Sequence, residues 1–163
     1  RDRCKTGEGL VNRLWEPLEA KHRPSSGYAA KFSMPFCMAV GFFDGDAGLN
    51  QFMDDRVNDP EVLNLSKLIS YEIDPSNEYP KNYTGHVMVR LKSGEIIEIN
   101  QPHMRGGRHE PLTKKQLTEK FMSNIKHGGW SKTRGELLLD YLANISTQKD
   151  MSGFAAVAKA HSD

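Results

Sequence analysis

Hydrophobic and polar positions follow several distinct rhythms along this chain, and one segment has no rhythm at all. From Pro35 to Phe43 no side chain is charged, and none is polar beyond a thiol. A helix that is apolar all round must be covered on every side, so this run predicts a buried core helix. Ser33 or Met34 serves as its cap, because Pro35 is well tolerated in a first turn. Asp44-Gly45 ends it, glycine being the usual residue just past a helix.

Elsewhere the patterns are periodic. The segment from Cys4 to Val11 reads as a strand entering from upstream, and Asn12 to Gly27 as irregular, with Pro17, Pro24 and Gly27 as punctuation. A short helix is predicted over Leu49 to Val57. A third opens at Asp59-Pro60, carries Val62, Leu63, Leu65 and Leu68, and runs to about Ser70. Tyr71 to Asp74 resembles a strand end. Val87, Val89 and Leu91 alternate with His86, Met88, Arg90 and Lys92. Ser93-Gly94 then turns into Glu95–Asn100, with isoleucines at 96, 97 and 99. That is a β-hairpin with one buried face. Thr113-Lys-Lys-Gln116 has the spacing of a capping box, and Leu117, Phe121 and Ile125 form the inner stripe of the helix it opens. Leu137, Leu138, Tyr141, Leu142 and Ile145 mark another helix, and Phe154 to Lys159 a last short one. The order predicts an α+β fold, a small antiparallel sheet with helices on one face. The last helices have little sheet left to cover.

Composition narrows the class. At 163 residues, with 37% hydrophobic and 26% charged residues, this is an ordinary globular chain able to build a core without staples. No apolar run approaches the 18 or so residues a membrane helix needs, so no membrane partner is expected. Cys4 and Cys37 are far apart and lack metal-ligand spacing. Cys37, inside the apolar helix, fits a small buried hydrophobe; a disulfide is the alternative, against the reduced state of a cytoplasmic setting. The net charge of +1 hides a division. Residues 44–79 hold nine acids and two bases, and residues 100–135 hold eight bases and two acids. Two solvated faces would account for this, as would a basic segment that meets an anion.

The loop Gln101-Pro-His-Met-Arg-Gly-Gly-Arg-His-Glu-Pro111 is the leading candidate for chemistry. Arg105 and Arg108 flank glycines that let backbone approach a ligand, and arginine suits bidentate contact with carboxylate or phosphate. His103 and His109 add imidazoles to the loop, yet their spacing does not make a metal site. A solvated connection is the alternative for the whole loop. Lys31 and Ser33 stand at the entrance of the apolar helix. They read either as a snorkelling lysine and a cap or as an anion contact at the edge of an apolar wall. His22, His86, His127 and His161 are isolated in the sequence. No Ser-His-Asp arrangement, Walker loop or dinucleotide fingerprint is present. The basic stripe has too few interleaved aromatics for a nucleic-acid partner.

Taken in order, Tyr28-Ala-Ala-Lys-Phe-Ser-Met-Pro-Phe-Cys-Met-Ala-Val, Asp44-Gly45, Asp59-Pro60-Glu-Val-Leu, Leu91-Lys-Ser-Gly94 and Pro111-Leu-Thr…Lys120-Phe121 resemble the carboxy-terminal part of the MmgE/PrpD family over residues 3–127. The family includes 2-methylcitrate dehydratase, cis-aconitate decarboxylase and iminodisuccinate epimerase. The resemblance implies a piece of a longer protein. Residues 1–127 would be its α+β domain, and residues 128–163 would return to a helical domain that lies mostly upstream. It implies a cofactor-independent lyase or isomerase acting on a small polycarboxylic acid, homodimeric as the full-length protein, with no metal. The family's catalytic histidines and lysine lie in the helical domain. This chain would therefore carry no catalytic residue and would be inactive alone. Lys31, Ser33, His103, Arg105 and Arg108 would line the substrate cleft. Phe36 departs from the tyrosine of some members, the decarboxylase among them, which weighs against decarboxylation. The competing reading is a non-catalytic interaction domain that uses its acidic and basic faces.

Overall fold

Ser33 accepts a hydrogen bond from the Phe36 N–H at 3.1 Å through its hydroxyl, and Pro35 follows in the first turn. Helix α4 (Met34–Asp44) starts there for the reason its sequence predicts: the hydroxyl satisfies an otherwise orphaned amide and proline has none to lose. Gly45 closes it in the left-handed conformation (φ 67°), its N–H bonding the Gly41 carbonyl at 2.9 Å. The computed structural model describes residues 2–159, so His161 lies outside the described residues. Pro35, Phe36, Ala39 and Val40 of α4 are buried, in a core shared with Trp15, Val57, Val62 and Ile69. Each fully buried large side chain contributes roughly 1.5–3 kcal/mol relative to exposure. The cover of α4 is incomplete, because Phe42 and Phe43 are exposed near its end.

The sheet has four strands in the order β2-β1-β3-β4. These are β1 (Asp2–Thr6), β2 (Ile69–Ile73), β3 (Gly85–Arg90) and β4 (Ile96–Gln101). β1 pairs with β2 in parallel, whereas the β1–β3 and β3–β4 pairs are antiparallel. The α+β class is as predicted, and the sheet is mixed. The reason lies in the connection from β1 to β2, which runs through α4 and α6 (Pro60–Ser66) and returns the chain in the same direction. Register puts Cys4, Ile69, Tyr71, Val87, Val89, Ile97 and Ile99 on one face and Arg3, Lys5, Glu72, His86, Met88 and Glu98 on the other. Helices cover the first face along β1 and β2. Ile97 and Ile99 on the far strand are exposed.

Four details differ from the periodicity. The strand expected over Cys4 to Val11 ends at Thr6 and gives way to a 3-10 turn (Glu8–Leu10). The stretch read as irregular forms two short helices, α1 (Val11–Leu14) and α2 (Leu18–His22), with a third, α3 (Gly27–Ala30), just after it. Trp15, fully buried between the first two, stacks on Tyr71 at 5.0 Å. The helix read over Leu49 to Val57 divides into a 3-10 turn (Leu49–Phe52) and α5 (Asp54–Val57). Helix α6 ends at Ser66, and Ile69 and Ser70 already belong to β2.

One ion cluster joins α4, α5 and α6. Arg56 donates through Nε to Asp44 Oδ2 at 3.1 Å, through Nη2 to Asp44 Oδ1, and through Nη1 to Asp59 Oδ2 at 2.5 Å. Its guanidinium also lies 5.7 Å from the Phe43 ring centroid. Hydrogen bonds from Arg56, then Gln51, hold the Asp44 carboxyl below its usual range. The Glu61 N–H is the main cause of the same shift at Asp59, the N-cap of α6, and Arg56 adds to it. A carboxylate depressed in the folded state stabilises above its unfolded pKa, and that stability is lost as pH falls through the folded value. Arg56→Met is therefore expected to destabilise the chain at pH 7. The difference from wild type should shrink as pH drops below about 4, the ordinary carboxylate range. Urea unfolding at both pH values checks this, and a pH-independent difference would mean the cluster acts by packing alone.

The chain divides into two compact units between Pro111 and Leu112. The helices on both sides of the expected boundary at 127/128 fall within the second unit. Thr113 caps α7 (Lys114–His127) in a full capping box with Gln116. Ser131 caps α8 (Lys132–Ala143). α7 and α8 approach closely at the buried Gly135, which sits beneath Ile125 and Met122. Of the predicted stripe on α7, Phe121 and Ile125 are half-buried, while Leu117 is exposed. A last short helix, α9 (Phe154–Ala158), sets Phe154 against Tyr141 at 6.0 Å. No helix among the described residues is long and apolar enough to cross a membrane.

Candidate functional site

The turn between α3 and α4 brings cations together with two aromatic rings. Lys31 is exposed, with its ammonium 5.9 Å from the Phe52 ring centroid. The Arg13 guanidinium lies 5.1 Å from the centroid of Phe32. Lys21 reaches into the same turn and donates to the Phe32 carbonyl at 2.7 Å and the Arg13 carbonyl at 2.6 Å, its pKa lowered by desolvation. Ser33 is fully buried. Its hydroxyl donates to the Lys21 carbonyl while accepting from Phe36. The lysine at this entrance is thus presented to solvent, and the serine is built into the turn.

The segment after β4 is an ordered loop. Met104 accepts from the Gly107 N–H at 3.0 Å, Gly107 from the Glu110 N–H at 3.3 Å, and Glu110 from the Gly106 N–H at 2.7 Å. Gly106 takes a positive φ of 84°, a conformation that glycine adopts without steric cost. His103 and His109 pack ring on ring, with centroids 5.0 Å apart, and His103 Nδ1 is buried without a hydrogen-bond partner. Arg105 Nε lies 4.0 Å from Glu110 Oε1 and is mostly exposed. Arg108 is exposed. At the base of the loop, Gln101 Nε2 donates to the His103 carbonyl at 2.8 Å and to Glu110 Oε2.

A polar cavity of about 340 Å³ lies next to this base, lined by Lys5, Asp74, Asn77, His86, Asn100 and Gln101 among others. His86 is nearly enclosed and fully bonded. Its Nδ1 accepts from the Lys5 N–H at 3.2 Å, so Nε2 carries the proton shared with Glu98 Oε1 at 2.7 Å. That contact is the main cause of the lowered Glu98 pKa. The Cys4 thiol donates to the His86 carbonyl at 2.7 Å, and burial pushes its pKa up to about 11. Burial does the same to Cys37, also to about 11. Neither thiol has the thiolate character a nucleophile needs. Among the described residues, no group of three or more His, Cys, Asp or Glu side chains converges as for a metal ion.

The five residues singled out in the sequence occupy two places. Lys31 and Ser33 share the entrance to α4, which packs beside β2. His103, Arg105 and Arg108 share the loop that leaves β4, and β2 and β4 are opposite edges of the sheet. Three strand spacings, on the order of 14 Å, separate those edges. Lys21, Gln101 and Glu110 organise the two places; Gln101 and Glu110 stand inside the loop the sequence singles out, but their tie to each other is not visible there. Lys21 is 12 residues from the serine it bonds, with no motif to connect them. Gln101, expected as the first residue of the loop, is the last residue of β4.

Comparison with known proteins completes the picture. A family model described as the MmgE/PrpD C-terminal domain matches residues 3–139. Cis-aconitate decarboxylase of Mus musculus is 26% identical over 104 residues, 62% of this chain and 21% of that protein. The chain thus spans about a fifth of the length of this curated relative.

Proposed function

The chain belongs to the MmgE/PrpD family, and from that premise we propose that it is the α+β domain of a cofactor-independent lyase or isomerase acting on a small polycarboxylic acid, 2-methylcitrate dehydration being the leading reaction. In this reading the complete protein is a homodimer, and general acid–base groups outside this chain move the protons. The chain itself supplies cations that hold carboxylates at the edge of the cleft. Lys31, Arg105 and Arg108 are the contacts proposed, with His103 and Ser33 beside them.

The observation that carries the proposal is the family match over residues 3–139. The local chemistry is consistent with it. His86, Ser33 and both cysteines are engaged in internal hydrogen bonds, whereas Lys31, Arg105 and Arg108 present their charges outward. An exposed guanidinium beside a glycine pair suits a carboxylate better than it suits proton transfer.

The test compares the isolated 163-residue chain with the complete protein on 2-methylcitrate, cis-aconitate and iminodisuccinate, with EDTA present. The complete protein is expected to turn over one of the three, 2-methylcitrate first, and the isolated chain none. Turnover by the isolated chain would place the acid–base groups within these 163 residues. A complete protein inert toward all three would sink the lyase or isomerase reading.

A further inference from the structure

We propose that Gln101 and Glu110 are positioning residues that set the basic loop for anion capture, an inference that rests on the loop contacts proposed above. Gln101 is the last residue of β4, paired in the ladder with Gly85, so its backbone is fixed by the sheet. Its amide nitrogen faces two acceptors, the His103 carbonyl and the Glu110 carboxylate. That arrangement assigns the amide orientation, because an oxygen there would face two oxygens. One side chain therefore ties both ends of the loop to one point of the sheet.

Glu110 carries the tie onward. Its other carboxylate oxygen faces Arg105 Nε at 4.0 Å, and its main chain closes the turn through Gly106 and Gly107. With Nε on the Glu110 side of a mostly exposed guanidinium, an incoming carboxylate would meet its terminal nitrogens. An exposed ion pair of this kind adds little to stability. What it offers is a restricted set of Arg105 orientations before ligand arrives, which lowers the ordering cost of binding. The Gln101 amide, half-buried at the edge of the polar cavity, keeps Glu110 from swinging away.

The experiment uses the complete protein and two readouts. Gln101→Leu removes both donors and is expected to speed hydrogen exchange at the Gly106, Gly107 and Glu110 amides. It should also raise KM for the polycarboxylate turned over in the panel above by about five-fold, with kcat within two-fold, the scale of one lost hydrogen bond. Gln101→Asn, which keeps an amide but shortens its reach, guards against a folding failure and is expected to fall between. Glu110→Gln keeps an acceptor for Gln101 and should retain loop protection while raising KM. Unchanged exchange in Gln101→Leu would overturn the brace. Faster exchange with unchanged KM, where Arg105→Ala does raise KM, would overturn the positioning role and leave the loop contacts standing. Unchanged KM in both Arg105→Ala and Arg108→Ala would remove the contacts themselves, and this inference with them.

Discussion

Phe36→Ala is expected to cost the 163-residue chain about 4 kcal/mol of unfolding free energy, the range for an aromatic removed from a filled core. Phe36 is fully buried in the first turn of α4 and faces Phe52 at 6.1 Å between ring centroids. It belongs to the same cluster as Trp15, Val40, Val57 and Val62. α2, α6 and β2 pack against α4, so the surroundings have little freedom to collapse into the gap. Phe42, only six residues on, provides the control. It is 72% exposed, and Phe42→Ala is expected to stay within about 0.5 kcal/mol of wild type. Urea unfolding of both variants decides the matter, and equal losses would mean that α4 is not buried in the sense described. Phe36→Tyr sharpens the point. Its added hydroxyl would enter an apolar cluster, where an unsatisfied polar group costs about 1–3 kcal/mol. At this position the chain has built a core contact, and a tyrosine doing chemistry here would need a different set of neighbours.

Much of this was written in local pattern. The apolar run and its Ser33-Met-Pro35 entrance gave α4 its start and end, and the Ser93-Gly94 turn gave the hairpin its register. In each case one or two residues settle a local conformation, and local conformation is what spacing encodes. Trp15 shows the limit. It sits in a stretch broken by prolines with no period to follow, yet it is fully buried because α1, α2 and β2 meet over it. The parallel pairing of β1 and β2 was hidden for a related reason. Five residues of β1 match five of β2 across more than sixty positions of sequence, and no local signal carries that partnership. The candidate contacts divide the same way. Arginine beside glycine marks a loop that can meet an anion, whereas the Gln101–Glu110 tie depends on a strand end and a loop end arriving together.

Ser33→Ala is the second large effect, and it separates two roles that the sequence left side by side. The hydroxyl caps α4 by accepting from Phe36 and also donates to the Lys21 carbonyl. Losing an N-cap costs about 1 kcal/mol, and withdrawing a donor from a part-buried carbonyl adds on the order of 1 kcal/mol more. A total near 2 kcal/mol should therefore appear in the unliganded chain. Lys31→Ala, two residues earlier, removes an exposed ammonium and should change stability by no more than about 0.5 kcal/mol. In the complete protein the order is expected to reverse, with Lys31→Ala raising KM several-fold at unchanged thermal stability. Melting curves without ligand and steady-state kinetics on both variants give the four values needed. If Ser33→Ala instead raises KM and leaves the melting curve in place, the hydroxyl is a substrate contact and its cap is dispensable. The buried position of Ser33 favours the first outcome: a hydroxyl closed in by the turn it caps is committed before any substrate arrives.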